Sequence, residues 1–245
     1  MHSAEDGVGE MKFKTVMTEL ESLATKHTKK RYVSNGAKEP VFGVPTGKMK
    51  PLSKEIGINQ KLAEELYATG NFDAMYFAGV IADAKGMRVE DYDRWMDDAY
   101  FFMLTDAVVS VTLSESDIAE KVADKWIEGG EELRMSAGWS TYCWLIGSQK
   151  DEEFSKNKLE EMLEYVKKHI HDMPPRAKDA MNNFVYTVAT SYIPLHEEAL
   201  ALAETIGQVE VEREDKKSKI LNAYEAIQKQ IEKNRIGFKR KYVRC

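Results

Sequence analysis

One acid stands in an apolar run. Asp106 is the only charged residue between positions 99 and 113, within FFMLTDAVVS. An unpaired carboxylate is costly to bury, and perturbed ionisable groups gather at functional sites, so Asp106 is the first candidate for chemistry. Two structural readings compete with that one: a helix-capping acid, or half of an ion pair with Arg94 or Arg134. Other groupings carry less. His169 and His171 are two apart on a helical pattern and point to different sides, unlike the i, i+4 pair that holds zinc on a helix, so no metal site is expected. The run Gly43-Val44-Pro45-Thr46-Gly47-Lys48 lacks the hydroxyl residue of a phosphate loop, because Met49 follows the lysine, and no strand precedes it; this argues against nucleotide hydrolysis. Trp139 and Trp144, with Tyr100 and Tyr142, could stack on bases or sugars, although aromatic residues at helical spacing more often build a core.

The basic residues are unevenly placed. Residues 26–54 carry eight Lys/Arg and one acid, Glu39, and residues 229–245 carry seven Lys/Arg and one acid, Glu232, although the net charge of the chain is -6. The middle, 55–228, holds eighteen basic and thirty-four acidic residues. A polyanion would therefore meet the two basic stretches, or a basic strip between acidic faces; solvated termini are the bland reading. Candidate phosphate contacts are Lys48, Lys50, Lys54, Arg134, Lys178, Arg240 and Lys241, all basic and near helix ends or in the charged stretches.

These residues need a scaffold, and the breakers outline it. The six prolines, at 40, 45, 51, 174, 175 and 194, leave 52–173 free of them, while Gly57, Gly70, Gly86, Gly129, Gly130 and Gly147 recur where helices would stop. Helical spacing runs through 60–69, through Leu159, Met162, Leu163, Val166 and Ile170, and through 217–231, where Ile220, Leu221, Tyr224, Ile227 and Ile231 align. The segment AVVSVTL (107–113) has β propensity but no partner strand, and reads as buried helix. The expectation is an all-α chain of eleven or twelve helices in antiparallel pairs, a single solenoid domain over 1–245 with residues 1–9 disordered. The stretch 27–47 is too rich in Gly, Pro and small polar residues for helix, and is a functional-loop candidate. At 43% hydrophobic and 31% charged the composition suits a packed protein. Cys143 and Cys245 form no CxxC and are expected as reduced thiols, and the acidic start without an apolar core predicts a cytoplasmic protein.

The ordered runs RYVSNGAKEPVFGVPTGKMKPLSKEIG (31–57), LAEELYATGNFDAMYFAGVIAD (62–83), DRWMDD (93–98) and EELRMSAGW (131–139) resemble the DNA alkylation repair family of HEAT-like repeat proteins. The basic ending GFKRKYVRC is similar to that of some members. The resemblance implies a HEAT-like helical repeat solenoid with a concave basic surface, a monomer that binds alkylated duplex DNA, and no cofactor. It also implies an N-glycosylase for cationic N3- and N7-alkylpurines. Cleaving the glycosidic bond of such a lesion builds positive charge on the sugar, and a fixed carboxylate stabilises that charge. By the family motif this carboxylate is Asp106, and Lys50 matches a basic position.

The departures bear on the same site. Four residues before Asp106, where glycosylase members carry Trp, this chain has Phe102; the family's backbone-contacting Arg aligns with Ser136, and a second Trp aligns with Asn183, beside Phe184. Arg134 lies two residues from position 136, about 200° around a helix, and cannot replace that Arg without a register change. Substrate contacts are therefore assigned to Phe102, Arg134, Ser136, Trp139, Asn183 and Phe184, with a non-catalytic scaffold that binds DNA or protein as the alternative. No aromatic base-flipping pocket is evident in the sequence, and the resemblance implies that the lesion stays in or near the duplex while the protein grips the backbone.

Overall fold

The structure is a computed structural model describing residues 2–213 and 216–244, with side chains from residue 12 onward and outside 213–219. Residues 2–9, expected as disordered, are helical backbone, and the Cys245 thiol lies outside the described residues. Two compact units are present: residues 2–117 with Arg244, and residues 118–243.

The first unit is a long helix followed by a run of short ones: α1 (His2–Ser22), α2 (Lys26–Ser34), α3 (Lys50–Ile56), α4 (Gln60–Tyr67), α5 (Phe72–Ile81), α6 (Val89–Asp98), α7 (Phe102–Leu104) and α8 (Ser110–Leu113). Two of these starts have a plain chemical cause. Asn59 accepts a hydrogen bond from the Leu62 N–H, and Asn71 accepts from those of Asp73 and Ala74, so both asparagines satisfy donors that helix geometry leaves open. Leu62, Ala63, Leu66 and Tyr67 then bury one face of α4, against α5 and α1. Tyr67 stacks on Trp95 with centroids 4.1 Å apart and donates to the Trp95 carbonyl at 2.7 Å. Residues 107–113 are helical, as read from the sequence, with Val108, Val109, Val111 and Leu113 buried. Arg244 closes the C-terminal end of α5: its guanidinium donates to the carbonyls of Gly79 at 3.0 Å and Ala82 at 2.7 Å and pairs with Glu115. It thereby satisfies acceptors that the helix itself leaves open.

The second unit contains α9 (Ala119–Glu128), α10 (Glu132–Ile146), α11 (Lys156–His169), α12 (Pro175–Ser191), α13 (His196–Ile206), a hairpin of β1 (Glu210–Arg213) and β2 (Lys216–Lys219), and α14 (Ala223–Glu232). Central to it is α12, which touches α10, α11, α13 and α14. Its start is set by Pro175, whose missing N–H costs nothing at that position. Between α9 and α10 the backbones approach closely. A Cβ on Gly138 would stand 2.7 Å from the Ala123 carbonyl oxygen.

Two sequence expectations are corrected. The stretch 27–47 is not wholly irregular: Thr25 caps α2 through a bond from the Thr28 N–H, and only 35–45 is loop. The helix read over 217–231 begins at Ala223, capped by Asn222, because Val209 and Val211 bury alternate positions of a strand that pairs antiparallel with 216–219. No helix among the described residues is long and apolar enough to cross a membrane.

Candidate functional site

Asp106 sits where the helix widens. From Thr105 to Val109 the chain makes a π-helical turn, closed by the Ser110 N–H donating to the Thr105 carbonyl, with the Ser110 hydroxyl on the same oxygen at 2.7 Å. Such turns are rare and favour functional positions. The packing behind it explains the bulge. A Cβ on Gly79 of α5 would stand 2.7 Å from Val108 Cγ1, and Thr112 Oγ1 donates to the Gly79 carbonyl at 3.2 Å, so α5 is pressed onto this turn. Val108 and Val109 face inward while Asp106 and Phe102 retain solvent access. The Thr105 hydroxyl donates to Asp106 Oδ1 at 2.8 Å. A carboxylate steadied by a hydroxyl and still reached by water is suited to stabilising an external cation.

Arg94, one of the two proposed ion-pair partners, is engaged elsewhere: it binds Glu64 at 2.8 Å and Asp91 at 3.0 Å. Glu64 also accepts from the Trp95 indole N–H. The Asp91 carboxyl is held below its ordinary value, chiefly by the Arg88 backbone N–H it accepts.

In the second unit the candidate contacts divide by exposure. Arg134 is partly exposed and paired with Glu131 at 3.2 Å, and Asn183 is exposed on α12. Ser136, Trp139 and Phe184, expected against substrate, are buried. At Gly138 the missing side chain lets α9 settle closely on α10, while Trp139 packs toward α11 and α12, against Tyr165 and Phe184. Trp139 and Phe184 meet edge to face at 5.0 Å and serve as core. Beside them Tyr142 donates to Asp124 at 2.5 Å, and Lys158 bridges Asp124 and Glu120, both at 2.8 Å. Burial, and then the Asp124 carboxylate, push the Tyr142 phenol far up, which makes it a hydrogen-bond donor rather than an acid. Burial opposes charge on Lys158, but the two carboxylates outweigh it and raise its value.

Most of the basic candidates are surface groups. Lys48, Lys50 and Lys54 are exposed on one short stretch, with Lys50 and Lys54 one helical turn apart. Lys178 is partly covered and reaches the Glu210 carbonyl at 3.4 Å. Arg240 is exposed with its guanidinium 4.4 Å from the Trp144 ring centroid, and Lys241 is exposed next to Tyr242.

Sequence reasoning missed the residue that shapes the 35–45 loop. Asp73, wholly buried at the start of α5, accepts the backbone N–H groups of Phe42 at 2.6 Å, Gly43 at 2.9 Å and Val44 at 2.7 Å. The Tyr32 hydroxyl adds a bond to the Val44 carbonyl at 2.8 Å. FGVP is thus a fixed wall of the fold, leading directly into the lysine-bearing stretch 48–54. A helix acid two residues after an Asn cap is the signal that could have pointed to it.

Consecutive helices packed on each other, as α4 on α5, α9 on α10 and α12 on α13, define a helical-repeat protein. The chain belongs to the family described as DNA alkylation repair enzyme, which it matches over residues 16–229. A solved structure described as "a new family of proteins related to the HEAT-like repeat DNA glycosylases with affinity for branched DNA structures" is 65% identical, with a TM-score of 0.93, covering 95% of this chain and 99% of that one. The fold is accordingly the HEAT-like helical repeat fold. The uncharacterized protein Lin0241 of Listeria innocua is 26% identical over 224 residues, covering 89% of this chain and 96% of its own length. Lmo0209 of Listeria monocytogenes is 25% identical over the same shares.

Proposed function

We propose that this protein binds branched DNA structures, gripping phosphates through Lys48, Lys50, Lys54, Arg134, Lys178, Arg240 and Lys241, as a single-domain monomer of the cytoplasm. The observation that carries the reading is the 65% identity, across 99% of its length, to a protein described as having affinity for such DNA. The exposed lysines at 48, 50 and 54 supply the sequence-independent electrostatic part. The test compares a four-way junction with a linear duplex of equal length by gel shift. Tighter binding of the junction, weakening steeply between about 50 and 200 mM salt, is expected. Changing Lys48, Lys50 and Lys54 together to Gln lowers the salt slope by about 0.9 for each phosphate no longer neutralised. Equal affinity for junction and duplex overturns the reading.

A second reading, excision of cationic N3- and N7-alkylpurines, is favoured by one observation: Asp106 stands solvent-accessible in a π-helical turn with Thr105 at its base. Burial of Ser136, Trp139 and Phe184 weighs against it, since these side chains offer no surface to a sugar. Duplex DNA carrying N7-methylguanine decides the matter. Release of the base by the wild type and not by Asp106→Asn supports excision; no release leaves binding as the whole activity. Release of the neutral 1,N6-ethenoadenine contradicts the mechanism, which has no acid for the leaving group.

A further inference from the structure

The segment 233–244, KNRIGFKRKYVR, contains six Lys/Arg and no acid. Its path is fixed by backbone and side-chain bonds. The Gly237 N–H donates to the Thr190 carbonyl at 2.8 Å, and the Arg240 N–H donates to the Gly147 carbonyl at 2.7 Å. Lys239 pairs with Asp151 at 2.8 Å and also donates to the Ile146 carbonyl, while Arg244 pairs with Glu115. Those two cations are therefore committed to the fold. Lys233, Asn234 and Arg235 are exposed just after α14, and beyond Gly237 what remains outward is Phe238, Arg240, Lys241 and Tyr242.

Phe238 is 63% exposed and Tyr242 70%, the two largest exposures among the large hydrophobic residues described. Leaving two rings in water forgoes the stabilisation that burying them would give. A partner that covers them must also accept positive charge, because Lys241 lies 5.3 Å from the Tyr242 ring centroid and Arg240 rests on Trp144 between the two rings in sequence. An acidic chain with flat apolar faces meets both demands. Unpaired nucleotides are that chemistry, with a phosphate for each cation and a π face for each ring. In a linear duplex the bases are already stacked, so only phosphates are offered there. A backbone tied down at 237 and 240 presents the rings at little further entropic cost.

We infer that residues 238–242 bind an unpaired DNA strand, Phe238 and Tyr242 stacking on bases while Arg240 and Lys241 take the phosphates. The inference rests on the proposed binding of branched DNA, whose forks and junctions expose such bases, and it names the feature by which a branch is told from a duplex.

The experiment uses the full chain, a forked DNA with two unpaired arms, one of them carrying 2-aminopurine, and a linear duplex of the same length. Because both rings are exposed, Phe238→Ala/Tyr242→Ala should keep the wild-type thermal melt. Wild-type protein is expected to quench 2-aminopurine emission. The double variant is expected to lose that quenching and to bind the fork at least about fivefold more weakly. Its affinity for the duplex and its salt slope stay within about twofold, since no charge is removed. Phe238→Trp, which keeps a stacking face, should retain fork binding. Unchanged fork binding by the double variant overturns the inference and leaves the branched-DNA reading in place. An equal loss on fork and duplex also overturns it. A wild type that prefers neither fork nor junction over duplex overturns the branched-DNA reading, and this inference with it.

Discussion

Asp73 and Asp106 occupy adjoining elements of the first unit, α5 and the π-helical turn packed against it, yet their surroundings are opposite. Asp73 has no solvent exposure and directs its oxygens to three backbone N–H groups of the 42–44 loop. Asp106 accepts from the neighbouring Thr105 hydroxyl and keeps its solvent access. Complete burial of a carboxylate is tolerated only when donors surround it, and those donors then occupy the lone pairs a ligand would need. Burial with donors thus marks an acid that builds the fold, and solvent access an acid that a ligand can reach. An acid in an apolar run was the signal that singled out Asp106, and by that logic the more deeply buried Asp73 has the stronger claim. Counting its donors reverses the order.

The strongest effect follows directly. Asp73→Asn keeps the shape but removes the charge and turns an NH2 group toward an N–H donor. A stability loss of about 3–5 kcal/mol is expected in urea unfolding, because buried donors are left unpaired. Asp106→Asn should cost less than about 1 kcal/mol, as a partly exposed site does. Equal losses from the two would erase the distinction between them.

A smaller effect isolates the loop from the charge. Gly43 has φ +93°, and a Cβ there would stand 2.4 Å from the Lys29 backbone nitrogen. Gly43→Ala is expected to cost at least about 2 kcal/mol through backbone strain and displacement from α2. Combined with Asp73→Asn the losses should fall short of additive, since both release the same loop. Strict additivity in the double-mutant cycle would show that the carboxylate and the glycine act on separate structures.

How far these features were legible depends on their range along the chain. Local signals carried well: the apolar spacing of Leu62, Ala63 and Leu66, the stops at Gly57, Gly70 and Gly130, and the burial of 107–113 all reappear. Asp106 was visible as a lone acid, and Lys48, Lys50 and Lys54 as a basic stretch, because exposure of lysine is the default. Non-local facts were not legible. The Asn71 cap marks Asp73 as a helix-start acid but does not announce that residues about thirty positions earlier will donate to it. The burial of Ser136 is set by packing between elements, which a small polar residue in a helical run does not announce. The hairpin was hidden by Ile220 and Leu221, which fit a helical stripe that Asn222 in fact begins only at Ala223. Nothing in the sequence marks Phe238 and Tyr242 as exposed, because their exposure depends on where the fold leaves the last residues.

The mildest effect belongs to a second carboxylate of the same loop and sets it against Asp73. Glu39 is exposed, pairs with Lys29 at 2.8 Å and accepts from the Val41 N–H at 3.0 Å. The Lys29 ammonium, and then that N–H, hold its carboxyl below the ordinary value of 4.5. A depressed folded value means that its stabilisation is present above the unfolded value and is lost as pH falls through the folded one. Glu39→Gln should therefore lower the melting temperature slightly at pH 7 and low salt. The gap between wild type and variant should close as pH falls below 4.5. It should also shrink in about 1 M salt, which screens a solvated pair but not a buried one. Melting curves of the two proteins across pH and salt are the measurement. A gap that survives in acid or in high salt would mean that Glu39, like Asp73, is part of the loop's frame, and the division between building and available carboxylates would then not follow burial.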